Sequence, residues 1–254
     1  MKTDWIAVDW GTSNLRAWAI GQGGVLAHAS STDGMGSLDR DGFEPALLKL
    51  VSPWLGTGRT EVIACGMVGS RQGWFEAPYR SVPCAPLDAA SLVTAPTRDP
   101  RILVRLVPGL KQVKQADVMR GEEVQIFGAL QLAGRDTATL VLPGTHSKWA
   151  QVEHGRVTRF STFMTGEVYA LLSQHSILGK TLDLNGAFDE AAFLQGVDQS
   201  QKAGSVLNKL FAVRTLGLFD RLPATALPCY LSGLLIGEEL RVQAMHPAQG
   251  PVIL

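Results

Sequence analysis

The chain has 254 residues, enough for one large domain or two small ones, and its 23 Lys plus Arg balance 23 Asp plus Glu. That neutrality gives no general attraction to nucleic acid or to an anionic membrane, so a small-molecule partner is favoured. Cys65, Cys84 and Cys229 lack CxxC or Cys/His metal spacing, an acidic N-terminus has no signal-peptide core, and no apolar run nears a membrane span; a soluble protein of the reducing cytoplasm is expected.

Residues 5–8 are a continuous apolar run, predicted as a covered strand. Leu15, Ala17 and Ala19 alternate with Arg16, Trp18 and Ile20 in a second strand, and Gly21-Gln22-Gly23-Gly24 turns the chain into a third, Val25–Ala29. This glycine cluster joins two strands and opens no helix, so it is no dinucleotide fingerprint. Phe43–Leu55 has apolar residues at helical spacing, with Pro45 tolerated in the first turn. Glu61–Cys65 and Arg101–Val107 read as the fourth and fifth strands, while five prolines within residues 76–100 argue against a long helix between them. Val124–Leu132 is predicted helical and closed by Gly134, where the first domain (1–134) gives way to the second (135–254). In the second half Thr139–Leu142, Trp149–Val152 and Arg156–Phe160 read as strands, and Val168–Leu172 as a helix whose first turn contains Thr165 and Glu167. Beyond Asp189 the pattern is mainly helical, clearest over Val206–Leu218 and Tyr230–Val242, before Pro251–Leu254 opens a strand.

The two halves echo one another. Setting Gly11-Thr12-Ser13 on Gly144-Thr145-His146 lays Thr139–Leu142 over Ile6–Asp9 and Ala150 over Ala17, and one gap brings Val157 onto Val25. A duplicated fold with a cleft between its halves is therefore expected.

Phosphoryl transfer needs phosphates held in line, their charge offset, and a base for the attacking hydroxyl. At the first hairpin tip, Asp9 can hold Mg²⁺ through water, and Gly11 lets the backbone approach a phosphate. Thr12, Ser13 and Asn14 offer donors and Arg16 a cation; a plain polar turn would use many of the same residue types. At the second tip, Gly144, Thr145, His146, Ser147 and Lys148 form the matching phosphate candidates, although Lys148 could equally be a solvated strand lysine. Glu122, at the head of the joining helix, can take a substrate proton, or can simply favour the positive end of the helix dipole. Glu167 is a substrate-contact candidate that could instead only cap its helix. In the loop after the fourth strand, Gly69 and Ser70 can meet a sugar and Trp74 and Tyr79 can wall a pocket; the alternative is a crossover with its aromatics packed for burial.

The motifs DWGTSNLRAW, GMVGSRQGW followed by APYRSVP, MRGEE, PGTHSKW, FMTGE and LSGLLIGEEL, in this order, resemble the 2-dehydro-3-deoxygalactonokinase family, sugar-acid kinases of the actin-like ATPase superfamily. The resemblance implies an α/β protein of two ribonuclease-H-like domains that phosphorylates the 6-hydroxyl of 2-dehydro-3-deoxy-D-galactonate with ATP and Mg²⁺. It also implies that Asp9 to Arg16 is the first phosphate segment and Gly144 to Lys148 the second. Glu122 falls where related sugar kinases carry an aspartate base. Family members continue past the last strand into a glycine turn and a helix that help form the adenine pocket, so the second domain is expected to be incomplete at Leu254. Arg120 is the candidate for the substrate carboxylate, because a guanidinium grips a carboxylate with two donors. The expected partners are sugar acid and ATP, with a homodimer allowed. A phosphohydrolase of the same fold and a non-catalytic sugar-acid binder are the rival readings.

Overall fold

A computed structural model describes residues 2–245 and 250–254. The chain forms two compact units, one of residues up to Ala138 with Ala150–Phe160, the other of Thr139–Trp149 with Ser161–Leu254.

The chain opens with β1 (Trp5–Trp10), β2 (Leu15–Gly21) and β3 (Gly24–Ser31), then α1 (Phe43–Val51) and β4 (Thr60–Gly66). The strands β5 (Arg80–Ser81) and β6 (Val93–Thr94) precede β7 (Ile102–Leu106), and β8 (Leu110–Gln112) and β9 (Asp117–Met119) lead into α2 (Glu122–Ala133). The antiparallel meander β3-β2-β1 continues through parallel β4 and β7 and ends on β6. This is the ribonuclease-H-like order. Side-chain alternation explains its core: Ile6, Val8 and Trp10 on β1 and Leu15, Ala17 and Ala19 on β2 are buried. Helix α1 turns Phe43, Ala46, Leu47 and Val51 inward.

The predicted strands and helices of the first half all form. The four strands β5, β6, β8 and β9 are new, and at two or three residues each they are too short for a period to register. Within this unit the backbones of Cys84 and Val157 exchange two hydrogen bonds, and Arg156 Nη2 donates to the Pro83 carbonyl. Those bonds tie the 150–160 segment to the 80s loop.

The second half gives β10 (Ala138–Leu142), β11 (Ser147–Glu153), β12 (Arg156–Phe163), α3 (Thr165–His175), α4 (Glu190–Gln201), α5 (Val206–Leu218), α6 (Leu227–Gln243) and β13 (Val252–Ile253). The sheet order β12-β11-β10-β13, with β13 parallel to β10, repeats β3-β2-β1-β4. The duplication read from the sequence is thus present in topology. Asp189 caps α4 by accepting the Ala192 N–H, and Ser205 caps α5 by accepting that of Leu207. Helix α6 buries Leu227, Tyr230, Leu231 and Leu234. It meets α4 backbone to backbone: a Cβ on Gly233 would fall 1.9 Å from the Phe193 carbonyl oxygen. Among the described residues no helix is long and apolar enough to cross a membrane.

Candidate active site

The hairpin between β1 and β2 ends in a braced turn. Gly11 donates its N–H to the Asn14 carbonyl, while the Gly11 and Thr12 carbonyls accept the N–H groups of Met35 and Gly36 from behind. The side chains of Thr12, Ser13 and Asn14 are exposed. Asp9 and Arg16 face each other across the two strands, with Arg16 Nη1 3.3 Å from Asp9 Oδ2, and both are well exposed. A pair so open to solvent is weakly held, so an arriving phosphate and its cation can separate it.

Beside this tip, β4 ends at Gly66 with φ +93°, where a Cβ would lie 2.7 Å from the Trp10 carbonyl oxygen and 3.5 Å from Asp9 Oδ1. Gly121, at φ +108°, is seated on the same residue; its Cβ would come 3.4 Å from Gly66 Cα. Two glycines in conformations that side chains rarely adopt thus bring the head of α2 to the carboxyl end of β1. Glu122 is half-buried there, and its Oε2 accepts the Arg120 backbone N–H at 2.9 Å. Glu123, a residue the sequence reading did not single out, is wholly buried and accepts the Gly121 N–H. Burial pushes its carboxyl up to about 8, against the pull of its own N–H and that of Gly121. Burial, followed by the nearby Asp9 and Glu123 carboxylates, pushes the Cys65 thiol up to about 12, so this cysteine is no nucleophile.

Arg120 is buried with an incomplete set of partners. Its Nη2 donates to the Ala77 carbonyl at 2.8 Å and its Cζ sits 4.3 Å from the centre of the Tyr79 ring, but among the described residues Nε and Nη1 have no acceptor. Nη1 lies against Gly69, and the buried Ser70 hydroxyl also has no partner among the described residues. Buried donors left unpaired cost stability, so a group that accepts from them would be favoured. Gly69, Tyr79 and Arg120 are brought together, with Ser70 next to Gly69 in the chain. Trp74 is not among them: it is buried and stacks on Phe43 at 6.1 Å, edge-on to Trp10, as part of the core. The expectation that it walls a pocket is corrected by that aromatic packing.

In the other unit, Pro143–His146 form an exposed turn. The start of α3 packs tightly on it: a Cβ at Gly166 would lie 2.6 Å from the Gly144 carbonyl oxygen, and the Glu167 N–H donates to the Thr145 carbonyl. His146 Nε2 is 2.5 Å from Glu167 Oε2. Two predicted phosphate ligands, Ser147 and Lys148, are buried instead. Ser147 is buried with its hydroxyl donating to Glu239 Oε1 at 2.6 Å, and Lys148 is buried with Nζ donating to Thr162 Oγ1 at 2.7 Å. Strand β11 is covered on the face carrying Ser147, which no local pattern in the sequence announces. Ser147 is therefore committed to Glu239 and leaves the phosphate set, while Lys148, on the opposite face of the strand, is buried against Thr162 and is not a solvated strand lysine.

Residues 9–254 match the family profile described as 2-keto-3-deoxy-galactonokinase. The chain belongs to this family. Among 2-keto-3-deoxy-galactonokinase relatives, the Rhizobium meliloti protein named "Probable 2-dehydro-3-deoxygalactonokinase" is 40% identical over 92% of this chain and 78% of its own length. The Escherichia coli 2-dehydro-3-deoxygalactonokinase is 35% identical over 94% of this chain and 80% of its own. A crystal structure of a candidate 2-dehydro-3-deoxygalactonokinase from Sinorhizobium meliloti superposes with a TM-score of 0.88 at 37% identity, covering 95% of this chain and 82% of that one.

Glu239, on α6, is a second buried acidic residue that the sequence reading did not single out. It accepts hydrogen bonds from Ser147, from Trp149 Nε1 at 2.7 Å and from Thr165. The GEEL motif containing it carries the family resemblance, but its partners lie some 70 to 90 positions away and no local spacing reveals them.

Proposed function

We propose that this chain transfers the γ-phosphoryl group of ATP to the 6-hydroxyl of 2-dehydro-3-deoxy-D-galactonate, a step of galactonate breakdown in the cytoplasm. Membership of a kinase family supplies the reaction class. The observation that supports the site is the buried Arg120, with two unpaired donor atoms, two residues before Glu122 at a helix head seated on Gly66 beside Asp9.

In this reading Arg120 holds the sugar-acid carboxylate, with Tyr79 fixing the guanidinium plane from its face and Ser70 donating to a hydroxyl or carbonyl of the sugar. The close approach of Gly69 leaves room for that anion. Glu122 accepts the proton of the 6-hydroxyl. The freed oxygen attacks the γ-phosphorus as the bond to the bridging oxygen breaks, and ADP leaves with that electron pair. Within the first unit Gly11, Thr12, Ser13, Asn14 and Arg16 are the phosphate ligands; within the second, Gly144, Thr145 and His146 are, with Glu167 orienting the imidazole.

Asp9 is the residue that would hold Mg²⁺. A single, partly exposed carboxylate at a strand end suits an ion that keeps most of its waters, and among the described residues no group of three His, Cys, Asp or Glu side chains offers an all-protein cage. When bound, the ion offsets charge on the phosphates.

Glu122→Gln tests the assignment. The expected result is a fall of about 10²- to 10⁴-fold in acceptor-dependent ADP formation with ATP binding retained. Turnover within about tenfold of the wild type would show that Glu122 is not the base.

A further inference from the structure

Glu239 is almost fully buried on α6, yet among the described residues no cation pairs with it. Its charge is met by three neutral donors. Oε1 accepts from the Ser147 hydroxyl at 2.6 Å and from the Trp149 indole N–H at 2.7 Å, and Oε2 accepts from the Thr165 hydroxyl. Both carboxylate oxygens are thus committed. A carboxylate with that many donors is well solvated by protein, whereas releasing them leaves the buried Ser147 hydroxyl and the half-buried Trp149 and Thr165 donors without this acceptor.

The three donors come from two places that must meet for the second turn to keep its shape. Ser147 and Trp149 are alternate residues at the start of β11, immediately after the Pro143–His146 turn. Thr165 is the first residue of α3, and the next two residues hold the turn from the other side. Gly166 lies against Gly144 and Thr145, and the Glu167 N–H donates to the Thr145 carbonyl at 3.0 Å. Glu239 therefore joins the strand that leaves the turn to the helix end that buttresses it. A cavity of about 350 Å³ opens at the same place, walled by Gly144, Ser147, Trp149, Thr165, Gly166 and Glu239 among others.

We propose that Glu239 is a positioning residue for nucleotide: through Ser147, Trp149 and Thr165 it sets the geometry of the Gly144–His146 turn, and so controls affinity for ATP without touching the sugar acid. This rests on the kinase reading above. Leucine at 239 fills the space but strands all three donors. Glutamine can satisfy all three, because its carbonyl accepts the Trp149 N–H and one hydroxyl while its amide donates to the other hydroxyl, which rotates to accept.

The experiment compares wild type, Glu239→Leu, Glu239→Gln and Thr165→Val in the full chain, by steady-state kinetics against each substrate and by hydrogen exchange. Glu239→Leu is expected to raise KM for ATP about tenfold or more, leave KM for the sugar acid within about twofold, and speed exchange in segments 144–149 and 164–168 while segment 9–16 is unchanged. Glu239→Gln is expected to restore both readouts to within about threefold of the wild type, and Thr165→Val, which removes one donor, to shift both in the direction of leucine. The proposal is overturned if the leucine variant leaves KM for ATP and exchange unchanged, if both KM values rise alike, or if glutamine performs no better than leucine. Should leucine prevent folding, the glutamine and valine variants decide by the same readouts. Exchange needs no turnover, so a wild type without kinase activity would sink the kinase reading while the exchange pattern still decides the role of Glu239.

Discussion

Glu123 gives the structure a pH dependence that can be calculated before it is measured. The carboxyl is wholly buried in the first turn of α2, and desolvation raises it from an ordinary 4.5 to about 8. Between those two values the folded chain keeps a proton that the unfolded chain has released. Stability contributed by the protonated group is therefore complete below about pH 4.5 and is lost as the pH climbs toward 8. The perturbation is Glu123→Gln, which keeps the volume and an acceptor for the Gly121 N–H but cannot ionise. At about 1.4 kcal/mol per pH unit, the wild type should lose on the order of 3 kcal/mol more than the variant between about pH 5 and pH 7. Urea unfolding followed by tryptophan fluorescence at several pH values gives both curves, and groups that titrate in both proteins cancel in the difference. Parallel curves, differing by less than about 0.5 kcal/mol across the range, would refute the reasoning: Glu123 would then ionise as freely folded as unfolded.

Gly66→Ala places a methyl group 2.7 Å from the Trp10 carbonyl oxygen at φ +93°, so it should cost about 1–3 kcal/mol in urea unfolding and reduce turnover by displacing the head of α2. Arg120→Lys keeps a positive charge but loses the planar fork and the stacking on Tyr79; KM for the sugar acid should rise by about tenfold or more while KM for ATP stays within about twofold. Trp74→Phe should lower stability by about 1–3 kcal/mol through lost contacts with Phe43 and Trp10, and leave KM for the sugar acid unchanged; a large KM effect would return Trp74 to the pocket.

Much of the fold was legible because it rests on local patterns. The apolar run into Asp9, the alternation from Leu15 and the glycines at 21–24 specify a meander, and the same signs recur from Thr139, which is why the repeated strand order could be expected. Arg120 was chosen on chemistry, since a guanidinium grips a carboxylate with two donors; its burial and its stacking on Tyr79 were visible only in the structure. What sequence could not give was which face of β11 is covered. That depends on α6, which arrives some 90 positions later with Glu239, and it decides that Ser147 turns inward. Trp74 was misread for a related reason: an aromatic in a glycine-rich loop serves a pocket or a core equally well, and only the arrival of Phe43 from α1 decides the matter. The environment of Glu123 was equally hidden, because adjacent acidic residues at a helix start look alike until one is buried.

The most direct measurement is product analysis with the full chain, ATP, Mg²⁺ and a panel of 2-keto-3-deoxy sugar acids, reading ADP by a coupled assay and the sugar by phosphorus NMR. The account predicts ADP release that requires an acceptor, strongest with 2-dehydro-3-deoxy-D-galactonate, and a product esterified on its 6-oxygen. Inorganic phosphate released equally well without any sugar acid, or sugar-acid binding with no ATP consumed, would contradict it.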